Sequence, residues 1–174
     1  SDYGQNSAFY IGSPGSSPGK VTIKNSIFRD NKFDSGNWNQ NKTVIFTYSS
    51  KLELSNVILD SNECRDYSTG DIGNVIRCDA QHDSDSLIFN NVKILNNNSS
   101  GIRFQSNSNS MQNIKIIIRN SLIANNYGSG LSIINYDATL NHVTIANNSQ
   151  NQFSFMHEYD IREINVINSV IASS

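Results

Sequence analysis

An eleven-residue pattern of hydrophobic and polar positions recurs six times along this chain. The copies cover residues 21–31, 52–62, 87–97, 116–126, 138–148 and 164–174. Mostly aliphatic side chains fill the first, third and eighth positions of each copy, as Ile116, Ile118 and Ile123 do in the fourth copy. Hydrophobic residues at every second position of a short run predict a strand with one face inside the protein.

Asparagine marks two fixed positions of the pattern. The fifth position holds Asn25, Asn56, Asn91, Asn120, His142 and Asn168, and the eleventh holds Asn31, Asn62, Asn97, Asn126, Asn148 and then Ser174. Asparagine tolerates the left-handed backbone conformation that a sharp corner requires. Each copy therefore predicts a strand, a bend at an asparagine, a second short strand and another bend.

A third short strand is predicted before each copy, at a variable distance. These segments are residues 7–11, 43–47, 74–78, 101–104, 130–133 and 152–155. Successive copies are 31, 35, 29, 22 and 26 residues apart, measured at the fifth position, and the surplus residues fall in polar loops. Loops that lengthen at fixed corners while the strands keep their length are typical of a solenoid.

The turn residues favour parallel coils over hairpins. A two-residue hairpin turn prefers Asn-Gly or Asp-Gly, and neither pair occurs among 27 asparagines and 10 glycines. In parallel coils about 4.8 Å apart, equivalent asparagines lie one strand spacing from each other, so their amides can form a hydrogen-bonded ladder. We therefore expect the asparagines of both positions to be buried corner residues beside an aliphatic interior.

The repeat, which reads much like VTIxNSxIxxN, resembles the right-handed parallel β-helix of the pectin-lyase-like superfamily with its internal asparagine ladders. Its aliphatic or Phe residue three positions before an asparagine is also similar to the repeats of chlamydial polymorphic outer-membrane proteins, although the companion Gly-Gly-Ala-aliphatic phrase of those repeats is missing. The resemblance implies an all-β fold, a right-handed parallel β-helix of about six coils with three short strands per coil and asparagine ladders at the corners. Residues 1–174 would be a single β-helix domain, expected to be a segment of a longer solenoid.

Composition and charge narrow the possible partners. The chain is 37% hydrophobic, with a formal net charge of −2 and a pI near 5.8. It offers no basic footprint for nucleic acid, and no run of eighteen apolar residues could span a bilayer. We expect a glycan or a protein surface as the partner, with further coils or another chain at the open ends of the solenoid.

Two arginines and a tryptophan are the candidate ligand-binding residues. If segments 74–78 and 101–104 are stacked in register, Arg77 and Arg103 point outward from neighbouring coils, where two guanidinium groups could bind a carboxylate-bearing sugar or a sulfate. The alternative is that both are surface arginines paired with Asp79 or Asp71. Trp38 lies in a polar loop, where it could stack on a sugar ring or fold over the flank of a coil.

An acidic corner loop is the candidate metal site. Asp79, Asp83 and Asp85 could hold Ca²⁺ with their carboxylate oxygens, or they could cap backbone groups in a solvated turn. No other cofactor is expected. The resemblance carries over no catalytic residue, because no Gly-His-Gly or Asn-Thr-Asp phrase of the polygalacturonase type is present. His157 and Glu158 are adjacent and would face opposite ways on a strand, which argues against an acid–base pair.

The two cysteines, Cys64 and Cys78, have no Cys or His beside them at metal-ligand spacing. In an exported protein they could form a disulfide that closes a loop of about 15 residues and contributes roughly 3 kcal/mol. The alternative is two independent thiols, one of them buried.

The seventh position of the pattern should face outward although it is mostly aliphatic. It holds Ile27, Ile58, Lys93, Leu122, Thr144 and Val170, and Ile88 and Ile117 are further outward candidates at the second position. Such a stripe is covered by a loop or contacts another chain or domain.

The length of the solenoid bears on function. Six coils would span only about 29 Å, which is short for a complete polysaccharide cleft. The sequence therefore predicts a structural, adhesin-like β-helix segment, secreted or at the cell surface, that binds through its corner loops. The alternative is a carbohydrate-active enzyme that acts on acidic polysaccharide as a lyase or hydrolase, or a glycan-binding fragment of one.

Overall fold

Every regular element of the described chain is a β-strand. The computed structural model describes residues 7–11, 19–34, 42–48, 50–65, 72–80, 86–106, 114–156 and 162–173. The strands are β1 Ser7–Ile11, β2 Gly19–Arg29, β3 Lys32–Asp34, β4 Thr43–Tyr48, β5 Ser50–Asp60, β6 Glu63–Arg65, β7 Asn74–Ala80, β8 Ser86–Leu95, β9 Ser100–Ser106, β10 Lys115–Ala124, β11 Leu131–Ile134, β12 Asp137–Ala146, β13 Phe153–Met156, β14 Ile164–Ile167 and β15 Val170–Ala172.

The chain alternates between two main sheets as it advances. One sheet has the order β1-β4-β7-β9-β11-β13, and the other has the order β2-β5-β8-β10-β12-β14, with β15 also paired to β12. The short strands β3 and β6 form a third sheet, and the pairings between strands are all parallel. Each new strand lies beside the equivalent strand of the preceding repeat, which is consistent with a parallel β-helix solenoid.

The bend predicted at the fifth position of the repeat is confirmed. The six residues there have φ between 48° and 56°, the left-handed conformation that asparagine adopts more readily than most residues. They also drop out of the strand register: Arg119 pairs with Asn141 and Ser121 with Val143, which skips Asn120 and His142.

The predicted burial of the fifth-position asparagines is wrong. Asn25, Asn56, Asn91, Asn120 and Asn168 are all exposed. A left-handed residue resets the alternation of the strand, so that both the third and the sixth positions face the interior and the fifth must face out. The side chains still form an exterior ladder: Asn91 Nδ2 donates to Asn56 Oδ1 at 2.9 Å, and Asn56 Nδ2 donates to Asn25 Oδ1 at 3.0 Å. Asn120 leaves this line and donates to Asn90 Oδ1.

The eleventh-position asparagines form the interior ladder that the sequence predicts. Asn62, Asn97, Asn126 and Asn148 are buried, and Asn31 at one end is half-buried. Each follows a second left-handed residue at the tenth position, namely Asp30, Ser61, Asn96, Asn125 and Asn147. The ladder ends at Gln152, whose Oε1 accepts hydrogen bonds from the backbone N–H and Nδ2 of Asn148, both at 3.0 Å.

The core is a set of columns that run through successive repeats. At the third position, Leu54, Phe89, Ile118 and Leu140 are stacked and almost fully buried. The core is open at both ends of the described chain: Phe9 on β1 is exposed at one end, and Val166 and Ile171 in the last repeat are exposed at the other. The seventh position faces outward as predicted; Ile27 and Val170 are exposed, and Ile58 and Leu122 are half-buried.

Candidate ligand-binding site

Arg77 and Arg103 are direct neighbours across the β7–β9 pairing. Their Cα atoms are register partners, as the stacking of the two segments predicts. The same outward row continues through Phe46 on β4 and Tyr10 on β1 to one side, and through Ser132 on β11 to the other. Two aromatic rings, two guanidinium groups and a hydroxyl therefore lie in one line, one strand spacing apart.

Arg77 is neutralised by Asp79, two residues further along the same strand. Its Nε lies 3.0 Å from Asp79 Oδ1 and its Nη2 lies 2.8 Å from Asp79 Oδ2, so the fork engages both carboxylate oxygens. The guanidinium carbon also lies 6.0 Å from the centroid of Phe46, whose ring stacks on Tyr10 with centroids 5.4 Å apart. The ion pair with Asp79 and the contact with the Phe46 ring together fix the position of the Arg77 guanidinium group.

Arg103 has a neutral partner where Arg77 has an acidic one. Its Nε and Nη2 both donate to Oε1 of Gln105, at 3.1 and 2.8 Å. Gln105 is the register partner of Asp79, so the two arginines make the same contact with different side chains. Within the described ranges, no carboxylate forms an ion pair with Arg103.

The environment of Arg103 disfavours its charged form. Burial, and then repulsion from Arg77, lower the pKa of its guanidinium below the ordinary value, and attraction to Asp79 offsets part of this effect. The group remains protonated at neutral pH because the pKa of an arginine starts so high. An anion beside Arg103 would relieve both unfavourable effects.

A polar depression opens next to Arg103. It encloses about 390 Å³ and is lined by Ile72, Asn74, Ser100, Arg103, Ser129, Ser132 and Gln150. Hydroxyl and amide groups of this kind can each donate and accept hydrogen bonds, which suits the hydroxyl groups of a sugar. Among the described residues of the lining, the guanidinium of Arg103 is the one formal charge.

The expected pairing of both arginines with aspartate holds for one of them. Asp79 pairs with Arg77, whereas Asp71 lies outside the described residues. Sequence reasoning missed the contributions of Gln105 and Ser132. The signal was present, because Arg-x-Asp in β7 and Arg-x-Gln in β9 are equivalent segments of stacked strands, and residues two apart on a strand share a face.

Of the candidate metal and stacking residues, Asp79 is the one within the described residues. Asp83, Asp85 and Trp38 lie outside the described residues, as do His157 and Glu158. Asp79 is almost fully buried and has both oxygens engaged by Arg77. Over the ranges that the structure describes, no three Asp, Glu, His or Cys side chains come close enough together to hold a metal ion.

Cys64 and Cys78 are both free thiols, and both are buried. This arrangement matches the alternative of two independent thiols, except that neither is exposed. Burial raises the pKa of the Cys64 thiol to about 12, partly offset by its hydrogen bond with Ser99. Burial also raises the pKa of the Cys78 thiol, with a further contribution from the neighbouring Asp79 carboxylate.

Two further findings concern the chain as a whole. The described residues include no helix that is both long and apolar enough to cross a membrane. Comparison with protein-family models, with curated protein sequences and with solved structures finds no significant match.

Proposed function

We propose that this chain is a right-handed parallel β-helix of about six coils, similar to the pectin-lyase-like proteins, that acts as a structural, adhesin-like segment and binds acidic glycans. The observation that carries the binding proposal is Arg103, a guanidinium with no carboxylate partner among the described residues, at the margin of a polar depression. A secreted or cell-surface location fits this role, because such glycans are met outside the cell.

The chemistry of the depression favours an anion attached to a sugar. Nη1 of Arg103 makes no hydrogen bond to a described residue, so it can donate to a carboxylate or sulfate oxygen. Arg77 lies one strand spacing away and adds a second positive charge, although Asp79 cancels most of its field. Ser100, Ser129 and Ser132 offer hydroxyl groups to the rest of the sugar. One net cation and a shallow, polar surface predict weak binding that salt weakens further.

The competing hypothesis is an enzyme that cleaves acidic polysaccharide. Such an enzyme needs a group that can accept or donate a proton within hydrogen-bond reach of the reacting atoms. Asp79 is the carboxylate next to the two arginines, and Arg77 occupies both of its oxygens. We therefore expect no cleavage of pectate, alginate or glycosaminoglycan by this chain.

Binding to oligogalacturonate and to heparin oligosaccharides, measured by isothermal titration calorimetry at low salt, tests the proposal. We expect weak binding that the double change Arg77→Ala and Arg103→Ala reduces at least about tenfold. Lys93→Ala, which removes an outward cation of β8, is the matched control and should leave the affinity unchanged. Affinity that survives the loss of both arginines would show that the site is elsewhere. Polymer cleavage that disappears with Asp79→Asn would favour the enzyme.

A further inference from the structure

A second surface, on the other main sheet, carries an unusual distribution of charge. On β2, β5, β8 and β10, the outward residues before the left-handed bend form a grid with three positions per strand. Its cations are Lys20, Lys24, Lys51, Lys115 and Arg119, and we call this grid the basic face. Ile88 and Ile117 are register partners in its middle row, where Ile88 is also paired with Glu53. Ser86 and Asn90 pair with Lys115 and Arg119.

The positive charge of the basic face is largely uncompensated. Its one carboxylate belongs to Glu53, which lies 3.4 Å from Lys20. Lys24, Lys51, Lys115 and Arg119 have no ion-pair partner within the described part of the chain. The whole chain has a net charge of −2, and the acidic residue Asp137 on β12 borders the face as the register partner of Lys115. An exposed group of like charges raises the local concentration of ligands of opposite charge.

The middle row of the basic face is apolar on β8 and β10. Ile88 and Ile117 are half-buried, although they point away from the core. A depression of about 230 Å³ lies beside Ile88, which is its outward apolar side chain, with Lys20, Lys51, Glu53 and Ser86 around it; Leu52 also borders it, but the Leu52 side chain belongs to the core. The size of the depression suits a single large side chain, and burying such a side chain against isoleucine is favourable.

The dimensions of the basic face limit the kind of partner. Three strand spacings by four residues measure about 14 Å by 13 Å, roughly 200 Å², far below the ~800 Å² that each partner buries in a stable complex of globular proteins. A short segment of extended chain therefore fits better than a folded domain. Sulfated or carboxylated sugars match the cations, but they have no aliphatic or aromatic side chain for the two isoleucines.

We propose that the basic face binds a short acidic segment of another polypeptide, with carboxylates on its flanks and one large apolar side chain in the depression beside Ile88. Lys51, Lys115 and Arg119 would contact the carboxylates, and Ile88 and Ile117 would contact the apolar side chain. This surface lies on a different sheet from Arg77 and Arg103, so the two proposals are independent and are tested by different substitutions.

A pair of synthetic polymers of equal length tests this directly: poly-L-glutamate, and a glutamate–tyrosine copolymer. Fluorescence anisotropy at low salt should give a Kd for the copolymer at least about threefold lower, because its aromatic rings can enter the depression. The double change Lys115→Ala and Arg119→Ala should weaken both polymers about tenfold. Ile88→Ser and, separately, Ile117→Ser should weaken the copolymer alone. Lys93→Ala, beyond the bend on β8, should change neither.

Dextran sulfate distinguishes a general polyanion surface from a peptide site. If it bound as tightly as the copolymer, and if neither isoleucine change affected the copolymer, the face would recognise negative charge alone and the proposal would be wrong. Equal affinity for the two polypeptides would contradict the role given to the depression. Circular dichroism melting of each variant confirms that a loss of binding is not a loss of folding, and the two separate isoleucine variants guard against one failing to fold.

Discussion

Oδ1 of Asn97 accepts two hydrogen bonds from Asn62, one from its backbone N–H at 2.8 Å and one from its Nδ2 at 3.0 Å. Asn97 in turn donates from its backbone N–H and Nδ2 to Oδ1 of Asn126. The same double contact joins Asn31 to Asn62 and Asn126 to Asn148. Each amide therefore satisfies a backbone donor at a buried corner as well as its neighbour in the ladder.

Asn97→Ala should be strongly destabilising. It leaves the backbone N–H and one of the two Nδ2 hydrogens of Asn62 without an acceptor in a buried environment, while the other still donates to the carbonyl oxygen of Phe28. Each unmade hydrogen bond of this kind costs about 1–3 kcal/mol. We expect a loss of about 3 kcal/mol in the free energy of unfolding, measured by urea denaturation.

Asn91→Ala is the matched control in the exterior ladder. Its amide is exposed, so water can replace the hydrogen bond to Asn56, and the remaining cost of about 1 kcal/mol comes from placing alanine at a φ of 53°. If Asn91→Ala lowered the free energy of unfolding as much as Asn97→Ala or more, the assignment of one ladder to the interior and the other to the exterior would be wrong.

The sequence predicts the strands of this fold well, because each rests on a local pattern. The six segments placed before the repeats all correspond to strands of the first sheet, from β1 to β13. The stacking of Arg77 on Arg103 follows from the same alignment. Parallel coils with fixed corners leave little freedom in register once the repeats are aligned.

The sequence does not predict the side to which a corner residue points. Asn25 and Asn31 occupy equally regular positions, yet one is exposed and the other lies in the interior ladder. Counting in steps of two fails across a left-handed residue, because that residue rotates the strand and resets which positions face inside. The bend was predicted, but its effect on the alternation was not. The basic face was not predicted for a different reason. The net charge of the whole chain is −2, and this sum does not reveal a local group of cations.

His142 is the exception in the fifth-position column of asparagines. It is exposed and has a φ of 55°. We expect His142→Asn to stabilise the protein by about 0.5 kcal/mol, because asparagine tolerates this conformation better. His142→Val should cost about 1–2 kcal/mol, because a β-branched side chain is strained at positive φ.

Thermal unfolding measures this series, since 1 kcal/mol corresponds to a Tm shift of about 2–4 °C at this chain length. Thr144→Val, at an outward strand position two residues further on, should leave Tm nearly unchanged. If His142→Val lowered Tm no more than Thr144→Val does, the result would contradict the left-handed bend at His142.

Gly101 allows two neighbouring turns of the chain to come unusually close. A Cβ atom at this position would overlap the carbonyl oxygen of Gly130 and lie 3.0 Å from Cγ2 of Ile123. The Gly130 oxygen is held in place because it accepts a hydrogen bond from the backbone N–H of Ile102. Gly101→Ala should therefore destabilise the protein by about 3 kcal/mol or more in urea denaturation, since the backbone must move.

Gly19→Ala is the control for the glycine prediction. An added Cβ at Gly19 meets no atom of the described residues within 4 Å, and alanine loses less conformational entropy on folding than glycine does. We expect a change between zero and a gain of about 1 kcal/mol. Similar losses for the two glycine variants would contradict the close approach of the backbones at Gly101.

The two buried thiols should be unreactive in the folded protein. Burial raises the pKa of Cys64 to about 12, so at pH 8 only about one molecule in ten thousand carries the thiolate that attacks a disulfide reagent. Cys78 is fully buried and its pKa is also raised. The raised pKa of Cys64 also stabilises the folded state fully below pH 9.0, and this contribution is lost as the pH rises towards about 12, because the unfolded chain releases the proton first.

Titration with Ellman's reagent at pH 8 tests the state of both cysteines. We expect no reaction with the native protein over minutes and two thiols per chain in guanidinium chloride, without reductant. A rapid reaction with the native protein would contradict the burial. No thiol in guanidinium chloride, with two after reduction, would instead show a disulfide between Cys64 and Cys78. Cys64→Ala is the control for the alkaline effect: the stability that wild-type protein loses between pH 9 and pH 11 should be smaller in this variant, because one shifted group has been removed.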